Sequence, residues 1–149
     1  MVEKKLREIK VSDYPHIYLL NLDFNANLRD FSEDQVKKKI EIITTQTKDV
    51  IFVCECGEEI IGYIHGSPYE LLFSESLVNV LGLVVKPAYR NQGVGTMLLE
   101  HLEQWSKDNG FTGMKLLSHP SRIQAHRLYE QRGYKFTKEQ RNFIKKLNE

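Results

Sequence analysis

A chain of 149 residues, 41% hydrophobic and 28% charged, is long enough to bury one sizeable core and has an ordinary globular composition. Its formal net charge of +1 argues against a general nucleic-acid or membrane-surface binder, which would carry a visibly basic face. No apolar run approaches the ~20 residues that cross a bilayer, and the charged start MVEKKLREIKV lacks the apolar core of a signal peptide, so a cytoplasmic location is expected.

Residues 3–11 read as a first strand. Ser12-Asp13 offers an N-cap and Pro15 suits a first helical turn, which predicts a helix from Asp13 to Asn25 with Ile17, Leu20 and Phe24 on one face. Ser32-Glu33-Asp34-Gln35 is a capping-box pattern opening a second helix, with Val36, Ile40 and Ile43 as its apolar stripe. Asp49 to Cys54 reads as a strand, Gly57-Glu58-Glu59 as a turn, and Ile60 to His65 as the returning strand of a hairpin. The two cysteines, Cys54 and Cys56, lie inside this apolar region and read as reduced structural thiols; a metal site lacks a second ligand pair. A loop is expected over Ser67 to Ser76. It is followed by a central strand, Val78 to Val85, apolar on both faces as in the middle of a covered sheet.

From Leu83 to Trp105 the chain runs LVVKPAYRNQGVGTMLLEHLEQW: a strand end, a break at Pro87, a basic glycine-bearing loop, then a helix starting near Gly93. Val94, Leu98, Leu102 and Trp105 share its apolar face, and Asn109-Gly110 ends it. Met114 to Leu117 reads as a strand, Ser121 to Gln131 as a last helix stopped by Gly133, and Tyr134 to Phe136 and Asn142 to Leu147 as two closing strands. The element order is β-α-α-β-β-β-α-β-α-β-β.

A glycine loop between a strand and a helix N-terminus suits a phosphate, because free amides and the macrodipole face the ligand. The loop lacks the Gly-Lys-Ser/Thr ending of a P-loop, and Leu98 stands where a dinucleotide fingerprint needs its third glycine. The remaining pattern, Arg90-Asn91-Gln92-Gly93-Val94-Gly95, resembles the acetyl-CoA pyrophosphate loop of the GNAT superfamily of N-acetyltransferases. A second block, Ala125-His126-Arg127-Leu128-Tyr129-Glu130-Gln131-Arg132-Gly133-Tyr134, is similar to that family's Ala-x-x-x-Tyr-Glu-x-x-Gly-Phe/Tyr segment. Its wording resembles bacterial branches that acetylate small amines. The element order is also the family's. The resemblance implies a single α/β (α+β) domain over residues 1–149: a mixed, mostly antiparallel twisted sheet of about seven strands flanked by four helices.

It further implies acetyl-CoA as co-substrate, with no metal, and direct transfer to a primary amine of a small-molecule acceptor. A protein or peptide amine, a silent acetyl-CoA sensor and a nucleotide-binding module are the alternatives. No nucleic acid or membrane partner is expected, and many relatives pair into homodimers. On the resemblance, the amides of Gln92, Gly93, Val94, Gly95 and Thr96 hold the pyrophosphate, with Arg90 and Asn91 in the same loop. The backbone of Leu83, Val84 and Val85 pairs with the pantetheine arm and supplies an N–H to the oxyanion. Tyr129 protonates the leaving thiolate. Arg122 stands where the family commonly has Asn, and with Ala125 and Tyr129 it is placed on the cofactor side. Asn79-Val80-Leu81-Gly82 carries no acid where a carboxylate base often stands. Glu75 is taken as the candidate base from among Glu70, Glu75, His65 and His119; a water chain, or an amine that binds already neutral, is the other route. Asp23, Asp30, Glu33 and Asp34 read chiefly as a solvated face, and otherwise as an attraction for a cationic amine.

Overall fold

The computed structural model describes residues 2–148. The chain divides into two compact units, Met1–Leu117 and Ser118–Glu149. In the first, β1 (Lys4–Glu8), β2 (Val50–Cys56), β3 (Glu59–Tyr69), β4 (Leu77–Val85) and β5 (Gly113–Leu116) form one five-stranded sheet in that order. The first three junctions are antiparallel and β4–β5 is parallel. Helices α1 (Tyr14–Phe24) and α2 (Glu33–Gln46) lie between β1 and β2 in the chain, and α3 (Val94–Asp108) links β4 to β5. No helix among the described residues is long and apolar enough to cross a membrane.

Local chemistry sets these boundaries. The capping box closes as expected: Gln35 N–H donates to Ser32 Oγ (3.2 Å) and Ser32 N–H donates to Gln35 Oε1 (2.8 Å). Gly57 takes a left-handed φ of 65° in the β2–β3 turn, and Gly110, at φ 85°, ends α3 as Phe111 N–H donates back to Ser106 O.

Register partners across a sheet share a face. Val53, Tyr63 and Val84 are such partners, and this face packs against Ile17 and Leu20 of α1 and Val36 and Ile40 of α2. The opposite face takes α3. Phe52 meets the His101 ring edge-on at 4.4 Å. Glycines make the close approach: a Cβ on Gly66 would stand 2.7 Å from Leu102 Cδ1, and one on Gly62 3.2 Å from Leu98 Cδ1.

Three expectations change. Strand β3 runs on to Tyr69, where Ser67, Pro68 and Tyr69 pair with Asn79, Val78 and Leu77. Pairing of β3 with β2 ends at Gly66, so the missing N–H of Pro68 leaves no β2 acceptor unpaired. Strand β4 is next to the edge strand, not central, and its second face stays partly open, with Leu81 54% exposed. Third, the sheet has five strands, not about seven. The second unit holds α4 (Ile123–Gln131), which completes the four expected helices, but neither Tyr134 to Phe136 nor Asn142 to Leu147 forms a strand. Phe136, Phe143, Ile144 and Leu147 are 78–89% exposed. An alternating pattern makes a strand only where a neighbour accepts and donates its backbone hydrogen bonds, and no strand of the described residues pairs with these segments.

One ion pair ties β1 to the entry of α1. Arg7 donates from Nη1 and Nη2 to the two Asp13 carboxylate oxygens, both at 2.9 Å, and Lys10 N–H donates to the same carboxylate at 2.8 Å. Burial disfavours the Asp13 charge, but the Arg7 hydrogen bonds, the Lys10 amide and the two cationic charges outweigh it and hold the carboxyl below its usual value of 3.8. Its stabilisation is therefore full above that value and disappears as pH falls through the lower folded value. Asp13→Asn should lower unfolding free energy by about 2 kcal/mol at pH 7, because it removes the two-pronged ion pair and leaves Arg7 only the longer contact to Glu55, at 3.4 Å. Urea titrations between pH 7 and pH 2 should show the gap from wild type closing only in the acid range; a gap that stays constant with pH would contradict this account.

Candidate functional site

Strand β4 changes its pairing halfway along. From Leu77 to Val80 it is paired on both sides, with β3 and with Gly113–Leu116 of β5. At Leu81 the register slips: Gly82 is opposite His65 while Val80 is opposite Gly66, so Leu81 is an extra residue left out of the ladder. Beyond it, Gly82, Leu83, Val84 and Val85 pair with β3 alone among the described strands. The far edge of this stretch offers main-chain donors and acceptors to something other than the sheet.

This open edge leads directly into the glycine loop. Lys86 N–H donates to Ile61 O (2.8 Å), closing the β4 ladder, and a single 3₁₀ turn, Pro87–Tyr89, follows. Asn91 adopts a left-handed φ of 62°, and Gly93, the N-cap of α3, one of 81°. Met97 N–H donates to Gly93 O (2.9 Å) as the first intrahelical bond. The amides of Val94, Gly95 and Thr96 therefore face outward without an intrahelical acceptor. Arg90 is drawn back over the strand end, its Nε donating to Val85 O (3.4 Å), and Gln92 Nε2 donates to Ala88 O (3.2 Å). The structure thus brings Leu83–Val85 and Arg90–Thr96 together as one continuous ledge. Its chemistry suits an extended amide-bearing arm ending in an anion.

In the second unit, Arg122, Ala125 and Tyr129 lie at the start and along one side of α4. Tyr129 is buried, and its ring lies 6.0 Å from that of Tyr134. Burial raises the Tyr129 phenol above 10, against a smaller opposing pull from the Arg122 charge, so the hydroxyl keeps its proton at neutral pH. His119 Nδ1 is paired with Ser121 Oγ (2.7 Å).

Glu75 is not brought together with Leu83–Val85. It precedes Leu77, at the end of β4 away from the loop, roughly 20 Å of extended chain before Leu81. There its carboxylate accepts from Thr112 Oγ1 (2.9 Å), while Glu70 accepts from Ser76 Oγ (3.0 Å). Of the acidic residues between the first helices, Asp34 pairs with Lys38 on the surface at 3.0 Å, and Asp23 lines a small hollow with His16, Glu59 and Lys86. Burial, with the neighbouring Cys56, pushes the Cys54 thiol up, as suits an inert structural residue.

One polar group on the α1/α2 face was not read as a unit from sequence. His65 Nε2 lies 2.8 Å from Asp49 Oδ2, and Ser67 Oγ donates to Asp49 Oδ1 at 2.6 Å. The histidine and aspartate side chains are only 17% and 14% exposed. The hairpin register supplies the missing signal: Ile51 pairs with His65, so Asp49, two residues earlier, stands on the same face. Nearby, Tyr63 donates to Asn21 Oδ1 (2.6 Å), and burial pushes its phenol up to about 12.

The model of the acetyltransferase (GNAT) family matches residues 5–134. No curated protein matches this chain by sequence. Among solved structures, a transcriptional regulator from Bacillus halodurans C-125 superposes with a TM-score of 0.85 at 21% identity, covering 95% of this chain and 99% of its own. An aminoglycoside N-acetyltransferase in complex with CoA gives 0.81 at 18% identity, over 99% of this chain and 97% of its own. An aminoglycoside 6'-N-acetyltransferase from Acinetobacter baumannii gives 0.79 at 19%, over 98% and 100%. These likenesses establish a shared fold.

The left-handed backbone of Gly93 has a measurable consequence. A Cβ there would meet nothing within 4 Å, so Gly93→Ala is a test of backbone strain alone. It should lower unfolding free energy by about 1–2 kcal/mol in chemical denaturation, with unchanged far-ultraviolet circular dichroism. An unaltered midpoint would show that the loop does not hold this conformation in solution.

Proposed function

This chain belongs to the acetyltransferase (GNAT) family, and from that premise we propose that it transfers an acetyl group from acetyl-CoA to a primary amine of a small-molecule acceptor, by direct attack in a ternary complex. The observation that carries the reading is the continuity of the open β4 edge with the N-terminus of α3. It offers, on the side of Gly82 to Val85 away from β3, main-chain groups that no other described strand takes, Val85 O alone accepting from Arg90 Nε, and then outward amides at Val94, Gly95 and Thr96. An arm of amides matches the first and a pyrophosphate the second. The interruption at Leu81 supports a place for the thioester carbonyl, where a main-chain N–H meets the charge developing on oxygen.

Acetyl-CoA brings the activated acyl group. The amine nitrogen forms a bond to the acyl carbon, the carbon–sulfur bond breaks, and the thiolate takes a proton. Tyr129 is the proposed donor of that proton, supported by its place in the Ala125–Tyr134 block and by a phenol that burial keeps neutral. Arg122 and Ala125 are proposed on the cofactor side on the same block. The family match runs across both compact units, which supports treating them as parts of one acetyltransferase domain. That two of the similar structures are aminoglycoside acetyltransferases supports a small polyamine-like acceptor.

Calorimetric titration with CoA, together with thiol release from acetyl-CoA across polyamines, aminoglycosides and short peptides, tests the proposal. Arg90→Ala should weaken CoA binding about tenfold, the loss of one charge-assisted contact. Tyr129→Phe should lower kcat about a hundredfold while leaving CoA affinity in place. Absence of CoA binding to the wild-type protein would overturn the assignment of the Arg90–Thr96 ledge.

A further inference from the structure

We propose that His65 is the catalytic base that takes the proton of the attacking amine, with Asp49 and Ser67 as positioning residues; this rests on the acetyl-transfer reading above. The geometry begins with register. His65 is the β3 partner of Gly82, the residue next to the bulged Leu81, and partners share a face. His65 thus sits, by register, one strand across from the point where β4 leaves β5, near which the acetyl-transfer reading puts the thioester carbonyl. The position opposite it is a glycine. A Cβ on Gly82 would find only Tyr63 Cε1, at 3.8 Å, so β4 leaves open space across from His65 on that face. No other titratable side chain of β4 faces this spot, since Asn79, Val80, Leu81 and Gly82 carry none.

The network fixes which nitrogen is available. An ionised Asp49 accepts hydrogen bonds and cannot donate them, so the 2.8 Å contact requires the proton on His65 Nε2. The second carboxylate oxygen is occupied by the Ser67 hydroxyl at 2.6 Å, which stops Asp49 from turning away. In the neutral ring this leaves Nδ1 with its lone pair, and Nδ1 has no hydrogen-bond partner among the described residues. Asp49 is also the only charged group within hydrogen-bond reach of the ring among the described residues. It stabilises the imidazolium that forms.

The balance is as follows. The amine nitrogen adds to the acyl carbon and its surplus proton passes to His65 Nδ1. The carbon–sulfur bond breaks, the thiolate takes a proton from the Tyr129 hydroxyl, His65 returns its proton to solvent, and Tyr129 regains one from solvent. No oxidant, metal or covalent enzyme species is needed.

The test measures kcat and KM for acetyl-CoA with the best amine of the panel, alongside calorimetric CoA affinity and melting temperature. The variants are His65→Gln, His65→Ala, Asp49→Asn and Ser67→Ala. His65→Gln should lower kcat a hundredfold to a thousandfold, within the range of a lost general base, with CoA affinity within twofold of wild type. Asp49→Asn should lower kcat about tenfold, and Ser67→Ala less. Free imidazole should restore turnover to His65→Ala and not to His65→Gln, whose side chain fills the space. A His65→Gln enzyme within threefold of wild-type kcat overturns the assignment. So does the absence of imidazole rescue in a folded, CoA-binding His65→Ala protein. If both histidine variants unfold, a wild-type rate in Asp49→Asn overturns it equally. Failure of the underlying reading is distinct: the wild-type protein would then release no thiol with any amine, or bind no CoA, and the base assignment would fall with it.

Discussion

A Cβ on Gly66 would lie 2.7 Å from Leu102, and one on Gly62 3.0 Å from Val84 O. These two absences let α3 settle directly onto β3. With Val94, Leu98, Leu99 and Leu102 all fully buried, close packing opposes rotation or sliding of the helix. Everything at the ledge follows from that seat. It holds the first turn of α3 against the end of β4, and so sets the spacing of the outward amides from the open strand edge. Catalysis by positioning needs such fixity, because binding energy is otherwise spent on ordering the site. Larger side chains at Gly62 or Gly66 would act on the ledge without touching it.

The face under α1 and α2 is built differently. Its core is aliphatic around Val53, Ile60 and Val84, yet it also admits Tyr63 with Asn21, and His65 with Asp49 and Ser67. Partly buried polar groups are costly unless their hydrogen bonds are made, and these are short, at 2.6–2.8 Å. The cost falls on one short stretch of β3, opposite Gly82. A core optimised for stability alone would place apolar residues there, as it does at Ile51 and Ile60. This local departure from the stability pattern, next to a bulge and an open edge, is what supports the proposed role of His65.

Much of this was legible in the chain, because it depends on short-range chemistry. Ser32 to Gln35, the spacing of Val94, Leu98 and Leu102, and Asn109-Gly110 each specify a helix end or face within a few residues. The ledge was legible for the same reason: Arg90 to Thr96 is contiguous. What stayed hidden depends on partners distant in sequence. Pro68 reads as a loop residue until one knows that β2 has already ended beside it. Leu81 shows no local sign of being a bulge, since only the registers on its two sides reveal the slip. The closing segments alternate like strands, but alternation cannot report that no strand of the described residues pairs with them. Asp49 and His65 are sixteen residues apart, so the pair emerges only when the hairpin register is fixed.

The division between main-chain and side-chain chemistry also bears on how this fold survives at low identity. A TM-score of 0.85 at 21% identity means that backbone paths are kept while most side chains are exchanged. The ledge tolerates such exchange, because an amide of Val94 or Thr96 presents the same donor whatever its side chain. It needs only φ above zero at Gly93 and small residues under α3. The proposed base works differently: Asp49, His65, Ser67 and the empty position at Gly82 would act through their side chains, or through the lack of one, so a single substitution at any of them removes the group. On that proposal the ledge is constrained by backbone geometry and the polar group by residue identity, and the fold by itself does not fix the acceptor.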